Sequence, residues 1–430
     1  MSEKKEHNRW IVVVGALLIQ LALGSLYAFS IFTSPLSASL GYKSTSFWIL
    51  GIFSTAIGVF AITMIVAGKI QDRKGPRTVA AVGGAIVAGS YMLASFFTDS
   101  IAMIYLSYGV IGGIGIGLAY VCPLAAAVKW FPDKKGLVTG IAVAGFGAGA
   151  FIFTQVGKFF ITEYGLDSAF LYLGLIFLAM IVGGSFLLIN PPAGWLPKGY
   201  VPPVYTNGAN NKVDFGWRET IRTRSFVMLW LMFALAATAG LMLISNTKNV
   251  AKYLDPDEGA MVVAQAQTIA GILALFNGGG RIAWGKISDK LGRTSTMKLM
   301  YLTQGIVLVA AAGFCYLQPA GDILPFLGLT ALASLVGFCF GGNFALMPST
   351  TSDYFGAKNF GMNYGLVFTG YGVAGVLGGL IPGVLAGAGS GFVWVFLAVG
   401  VASFAAFGVA MFTRAPEVKE VETPVPAPAV

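Results

Sequence analysis

The chain has 430 residues, of which 56% are hydrophobic and only 10% are charged, with a mean hydropathy of +0.78. A soluble core cannot absorb that much apolar surface, so lipid is expected to cover part of it. The net charge of +9 matches basic loops between membrane spans rather than a nucleic-acid partner. The single histidine (His7) excludes histidine-based catalysis and histidine metal sites, and the three cysteines lack metal-ligand spacing. We therefore expect no metal or cofactor.

Apolar runs of about 20 residues, the length that crosses a bilayer as a helix, repeat along the whole chain. We interpret them as twelve spans, so the predicted fold class is an all-α membrane protein. The predicted spans cover residues 9–33, 45–68, 77–97, 100–128, 136–162, 168–190, 225–250, 259–288, 295–317, 322–347, 360–387 and 391–413.

The basic residues are distributed unequally between the two sides of these spans. Of the 27 Lys and Arg residues, 22 fall on the side of the two termini, four on the opposite side, and one, Arg281, within a span. Cytoplasmic loops carry an excess of Lys and Arg. We therefore predict a multi-pass protein of the cell membrane with both termini in the cytoplasm.

One stretch in the middle of the chain breaks the hydrophobic pattern. It holds five prolines and a polar run over residues 206–212, and is typical of a linker. The predicted organisation is an N-terminal half (1–190), a cytoplasmic linker (191–224), a C-terminal half (225–414) and a charged, proline-rich, disordered tail (415–430).

A short motif occurs twice, once at the end of the second span of each half. Residues 68–77 read GKIQDRKGPR and residues 285–294 read GKISDKLGRT. A second pair, KWFPDKKGLVTG (129–140) and SDYFGAKNFGMNYG (352–365), follows the fourth and tenth spans. Matched motifs at matched positions indicate an internal duplication.

The form G-x-x-x-D-[RK]-x-G-[RK]-[RK] resembles the signature loop of the major facilitator superfamily, with Pro76 and Thr294 as slight departures. The resemblance covers the whole chain and implies two pseudo-symmetric six-helix bundles with a site between them at mid-membrane. We expect Asp72 and Asp289 to cap or pair across a helix end. The predicted conformational or gating set is Asp72, Arg73, Asp289 and Lys290.

Arg281 lies eight residues before Asp289, about 12 Å along a helix and so near the bilayer centre. An Arg there costs at least about 2.5–3.5 kcal/mol and normally faces a cavity as a counter-ion. All 18 acidic residues fall in loops, termini or span ends, so none is available to neutralise it and the missing partner is expected to be the substrate. A guanidinium matches a carboxylate with two parallel hydrogen bonds, and Asn277, one turn earlier, adds another polar group.

Residues 275–293, 129–140 and 347–353 together resemble the oxalate/formate antiporter family, which lies near the monocarboxylate transporters. The resemblance implies that Arg281 binds the substrate carboxylate. It also implies a ring of aromatic residues around the anion, matched here by Tyr27, Tyr120, Phe340, Phe344 and Phe368, with Phe146 as an addition. Tyr371 joins the predicted site because a phenol in the middle of a span needs a hydrogen-bond partner.

Two departures from these relatives refine the substrate. Oxalate carriers have a Lys in the eleventh span at the position of Tyr371, so a single embedded cation here suits a monoanion. Animal monocarboxylate carriers place an Asp four residues before their Arg, where this chain has Asn277. A proton relay through a carboxylate at that position is therefore not available.

The sequence thus predicts an alternating-access carrier of small monocarboxylates such as lactate or pyruvate, acting as a monomer in the lipid bilayer with H⁺ as coupled ion. An oxalate/formate-type anion exchanger is the alternative. A membrane sensor, an integral membrane enzyme and a drug-efflux protein fit less well. The linker and tail are too short for a signalling domain, embedded acids and metal ligands are not evident, and cationic drugs should avoid Arg281.

Overall fold

A computed structural model describes residues 8–42, 47–192, 194–201, 214–254, 259–317, 323–385 and 391–416. All regular elements within these ranges are helices. Helices satisfy each backbone N–H and C=O within one segment, which is what an apolar segment requires in a bilayer without water.

The first group of helices forms the N-terminal bundle. Its first crossing runs from α1 through a tight 3₁₀ stretch, Gly24–Ala28, into α2, and its fourth passes through a π-helical stretch, Tyr105–Ile111, between α5 and α6. The helices are α1 (Trp10–Leu23), α2 (Ser30–Leu40), α3 (Phe47–Lys74), α4 (Pro76–Ser95), α5 (Ile101–Ile104), α6 (Gly112–Trp130) and α7 (Lys135–Ser185).

The second group forms the C-terminal bundle. The short helix α8 precedes it and lies within the predicted linker. The helices are α8 (Trp217–Thr220), α9 (Arg224–Leu254), α10 (Gly259–Leu291), α11 (Arg293–Leu317), α12 (Ile323–Phe355), α13 (Phe360–Leu385) and α14 (Gly391–Phe412).

The prediction of an all-α membrane protein with twelve crossings is confirmed. In the described residues, nine segments are long and apolar enough to span a membrane. One of them, the 51-residue α7, is broken at Gly165 (φ 83°, ψ 172°), so it supplies both the fifth and the sixth crossing. The helices α10 and α13, of 33 and 26 residues, supply the remaining two.

Several predicted boundaries differ from the observed ones. The first span continues to Leu40 instead of ending at residue 33, and α3 continues to Lys74 instead of residue 68. Parts of the predicted linker (193 and 202–213) and most of the predicted tail (417–430) lie outside the described residues. The exact division into halves, linker and tail stays a prediction.

The two bundles meet along α3–α13 and α7–α10. We call the end of the molecule that carries residues 68–77 and 285–294 the motif end. There Gly68 lies against Gly361, and Gly136 against Gly285, with no room for a side-chain atom between the backbones. Glycine at such positions allows helix backbones to approach closely. The bundles are therefore closed against each other at the motif end.

Candidate functional site

Arg281 lies on α10, with only 1% of its surface exposed. Gly280 beside it packs on the backbone of Phe338 in α12, and the backbone of Arg281 itself packs on Gly140 of α7. These close contacts leave the long side chain to extend between the bundles rather than toward lipid. The sequence prediction that Arg281 is an interior cation agrees with this placement.

Two of the five N–H donors of the guanidinium have protein acceptors. Nε donates to Oδ1 of Asn277 at 2.9 Å, and one N–H of Nη1 donates to the backbone carbonyl of Val143 at 2.5 Å. Val143 belongs to α7, so this second hydrogen bond joins the two bundles. The other three donors have no hydrogen-bond acceptor among the described residues.

No carboxylate neutralises Arg281 in the part of the chain that the structure describes. The ion pairs found there lie near the motif end: Arg9 with Asp133, Lys135 with Asp353, and Arg293 with both Asp289 and Asp353. A buried charge without an opposite charge is costly, and burial strengthens its attraction to any anion that reaches it. The site is thus electrostatically prepared for an anion.

Aromatic faces supply the remaining environment of the charge. Cζ of Arg281 lies 4.5 Å from the ring centre of Phe344 and 5.9 Å from that of Phe146. Phe344 comes from α12 and Phe146 from α7, one from each bundle. Cation–π contacts of this kind stabilise a desolvated guanidinium by about 2 kcal/mol, less than the several kcal/mol that burying an unpaired ion costs.

The aromatic residues predicted from the sequence form one connected cluster. Phe146 contacts Tyr27 and Tyr120 at ring-centre distances of 5.0 and 5.7 Å. On the other side, Phe344 contacts Phe340 and Tyr371, both at 5.2 Å.

Phe368 closes the ring between the two sides of this cluster. Its ring centre lies 5.4 Å from that of Tyr120 and 5.0 Å from that of Tyr371. The hydroxyls of Tyr27 and Tyr371 are in hydrogen-bond contact across the bundle interface. The structure therefore brings all nine predicted site residues together.

Other members of the cluster were not predicted from the sequence. Phe233 of α9 contacts Phe344, Phe368 and Tyr371, each at 5.9 Å, and Phe60 of α3 contacts Tyr120 at 5.1 Å. With 33 phenylalanines in the chain, nothing in the local sequence distinguishes these two. The hydrogen bond to the Val143 carbonyl could not be predicted from the sequence either, because it depends on how closely α7 approaches α10.

The two repeated aspartates at the motif end each bind the first turn of a helix in the opposite bundle. Asp289 accepts hydrogen bonds from the amides of Gly136 and Leu137, both at 2.8 Å. Asp72 accepts from the amides of Gly361 and Met362, both at 2.9 Å. A carboxylate is favourable at a helix N-terminus because the free amides and the helix dipole both attract it.

The predicted basic partners behave differently from the aspartates. Arg73 and Lys290 are exposed at the helix ends. Arg293 makes the closer contacts, donating to Asp289 from Nη1 and to Asp353 from Nε, both at 2.7 Å. The gating role assigned to Asp72, Arg73, Asp289 and Lys290 stays a prediction, with the two aspartates best placed to serve it.

The chain matches the model of the Major Facilitator Superfamily over residues 12–328 and 263–429. It therefore belongs to the major facilitator superfamily and is a multi-pass membrane transporter, not an enzyme.

Named relatives refine this class. The uncharacterized MFS-type transporter YhjX of Escherichia coli K12 is 31% identical over 372 residues, which cover 86% of this chain and 87% of the relative. The oxalate:formate antiporter of Oxalobacter formigenes is 31% identical over 408 residues, with coverages of 94% and 91%. Apicoplast pyruvate carrier 1 of Toxoplasma gondii is 27% identical over 404 residues, with coverages of 79% and 69%. The resemblance to the oxalate/formate antiporter family and to monocarboxylate carriers is thereby confirmed.

Solved structures agree on the fold. The proton:xylose symporter XylE, bound to 6-bromo-6-deoxy-D-glucose, has a TM-score of 0.72 at 13% identity, covering 94% of this chain and 96% of its own. A bacterial homologue of the iron transporter ferroportin, in an outward-facing state, has a TM-score of 0.66 at 18% identity, with coverages of 93% and 98%. At these identities the likeness concerns architecture alone.

Proposed function

We propose that the protein carries small monocarboxylates, of the size of lactate or pyruvate, across the cell membrane by alternating access. The observation that supports this most directly is the Arg281 guanidinium, buried between the bundles with three unused donors and no carboxylate partner among the described residues. Two relatives are named for the transport of oxalate and formate and of pyruvate, which is the same chemical class.

The proposed cycle follows from that charge. An incoming carboxylate accepts hydrogen bonds from Arg281 in the fork geometry that suits this pair, and cancels its charge. Phe344, Phe368 and Tyr371 then surround the short alkyl part. The neutral complex allows the bundles to rock about the site, opening the motif end as the opposite end closes.

A single cation favours a monoanion over a dianion. Tyr371 contributes a phenol hydroxyl where the oxalate carriers have a Lys, so a second carboxylate would be buried without an opposite charge. Burying an unpaired carboxylate costs several kcal/mol. We therefore infer selectivity for monocarboxylates over oxalate.

The coupling is proposed to be proton symport, with exchange of one carboxylate for another as the second candidate. Asn277 occupies the position at which a carboxylate would hold a proton beside Arg281, and this favours the exchanger. Proteoliposomes separate the two. Net uptake that is driven by an acidic external pH, in proteoliposomes without internal substrate, supports symport. Uptake that requires internal carboxylate supports exchange.

The orientation and assembly proposed from the sequence complete the function. The excess of Lys and Arg on one side supports a cell-membrane protein with the motif end and both termini in the cytoplasm. The substrate site is built from the two bundles of one chain, which is compatible with a functional monomer.

The central test replaces Arg281. We expect Arg281→Ala and Arg281→Lys to lose binding by about thirtyfold or more, because truncating one partner of a buried charge pair costs roughly 2–5 kcal/mol. Counterflow of labelled lactate, acetate, formate and oxalate in liposomes measures this. Arg218→Ala is the control, since Arg218 is exposed and rests on Trp217. Near-normal uptake by Arg281→Ala, with normal protein in the membrane, would refute the assignment.

A further inference from the structure

A concave site lies on the outer surface of the C-terminal bundle, away from Arg281. It is a groove between α9 and α14 with a volume of about 500 Å³, within the range of sites that hold small molecules. Its walls are apolar except for one arginine at the end where α9 begins. The lining residues are Arg224, Val227, Met228, Leu231, Ala405, Gly408, Val409 and Phe412.

The apolar walls of the groove are open to the surroundings. Val227 is 48% exposed, Leu231 37% and Phe412 68%. Both helices are candidate membrane spans, so this surface faces the lipid. In a membrane, the material that fills a lipid-facing apolar groove is an acyl chain.

The polar end of the groove carries positive charge. Arg224 is exposed and has no acidic partner among the described residues. Arg222 lies two residues before Arg224. Arg414 lies next to Ser225, whose Oγ donates a hydrogen bond to the backbone carbonyl of Arg414 at 2.8 Å. The neighbouring acid, Glu219, instead accepts a hydrogen bond from the amide of Gly216 at 2.6 Å.

The order of these features matches the anatomy of a phospholipid. Arg224 is the first residue of α9, at the end of a crossing and therefore at headgroup depth. The apolar walls extend from it to Leu231, seven residues and about 10 Å deeper along the helix. Arginine forms forked hydrogen bonds with phosphate oxygens, and clustered basic residues favour anionic lipids.

We propose that this groove binds one anionic phospholipid, with the headgroup phosphate on Arg224 and one acyl chain between α9 and α14. The positive charge of Arg222 and Arg414 makes the site prefer phosphatidylglycerol over phosphatidylcholine, which carries its own cation. The site lies outside the transport pathway and does not depend on which solute the protein carries.

Native mass spectrometry of the full chain, titrated with phosphatidylglycerol or phosphatidylcholine, tests the proposal. We expect one tightly held phosphatidylglycerol on the wild-type protein. Arg224→Gln should weaken it by about fivefold, the effect of one basic residue near an anionic lipid headgroup. Lys74→Gln, which removes one exposed charge at the end of α3, should leave binding unchanged.

A second pair of variants tests the groove without changing charge. A Cβ atom added at Gly408 would have no other atom within 4 Å, so Gly408→Leu fits locally and fills the groove. Gly313→Leu on α11 is matched, because its first carbon also meets nothing within 4 Å. We expect loss of the bound lipid in Gly408→Leu and retention in Gly313→Leu.

Several outcomes would overturn the proposal. One is equal retention of phosphatidylglycerol and phosphatidylcholine, and another is retention unaffected by both Arg224→Gln and Gly408→Leu. A dimer that Gly408→Leu dissociates would assign the groove to a second copy of the chain. A fivefold rise in lipid binding on deletion of residues 417–430 would assign it to the tail.

Discussion

Replacing Gly140 by alanine adds a methyl group where α7 and α10 touch beside Arg281, one helical turn inward from the Gly136–Gly285 contact of the motif end. That methyl carbon would press on the carbonyl oxygen of Arg281, and would lie 3.0 Å from the carbonyl carbon and 3.2 Å from Cα of Ile282. All three are backbone atoms of a helix, so no flexible side chain can turn aside. The helices must separate locally, and the closed motif end is destabilised.

The magnitude follows from overpacking. Inserting a methyl group into a well-packed contact costs about 1–3 kcal/mol. This cost falls only on the state in which α7 and α10 are pressed together. Alanine also improves the intrinsic stability of α7, but it does so equally in both states and cancels. The population with an open motif end should therefore rise by about 5–150-fold.

Thiol labelling measures this population. Ser349 of α12 is fully buried, and its Oγ lies 2.8 Å from that of Thr139 in the opposite bundle, so Ser349→Cys becomes reactive only when the motif end opens. The native Cys122, Cys315 and Cys339 are buried and give little background. In nanodiscs, Gly140→Ala should raise the rate of maleimide labelling at residue 349 by about the factor above.

The matched control is Gly271→Ala on α10, where an added methyl group meets no atom within 4 Å. It introduces the same chemical change on one of the two helices without the clash. If both variants label at the same rate as the parent, then α7 and α10 do not have to separate when the motif end opens. The reasoning from close packing would then be refuted.

Three further changes test the site and the motif end. Tyr371→Lys adds a second cation to the aromatic cluster and should shift counterflow from lactate toward oxalate; an unchanged ratio contradicts the inference from a single charge. Phe344→Leu removes the ring 4.5 Å from Arg281 and should raise KM for lactate by about thirtyfold, the loss of about 2 kcal/mol expected for one desolvated cation–π contact. Asp353→Asn weakens the contacts with Lys135 and Arg293, but because the carboxylate is 27% exposed the cost is about 1 kcal/mol or less, so labelling at residue 349 should rise by no more than about fivefold. A rise well above fivefold would contradict this estimate and would mean that the ion pairs contribute to closure as much as packing does.

The fold was largely accessible from the sequence because a bilayer imposes long apolar segments with few alternatives. The errors occur where polar residues remain helical. Lys69–Lys74 are polar and suggest a loop, yet α3 continues through them, with Asp72 directed at the first turn of α13. Residues 34–40 likewise contain a proline and three serines, but extend α2.

The sequence predicted those residues of the candidate site that are energetically unusual or belong to a recognisable motif. Arg281 was predicted because a charge within a span is costly in free energy, and the aromatic residues were predicted from the resemblance to a known family. Phe233 and Val143 offered neither signal. Their positions follow from helix packing at glycines such as Gly140, which depends on contacts between residues more than 130 positions apart.

The hydrogen bond from Arg281 to the carbonyl of Val143 gives the empty protein an internal competitor for any arriving anion. A ligand that takes this donor replaces a neutral carbonyl acceptor with a charged carboxylate oxygen, while the three unused donors remain available to it. The same exchange removes one of the hydrogen bonds that join α10 to α7. Occupancy of the guanidinium is thus linked to the loss of a contact between the bundles, and the empty protein keeps that contact.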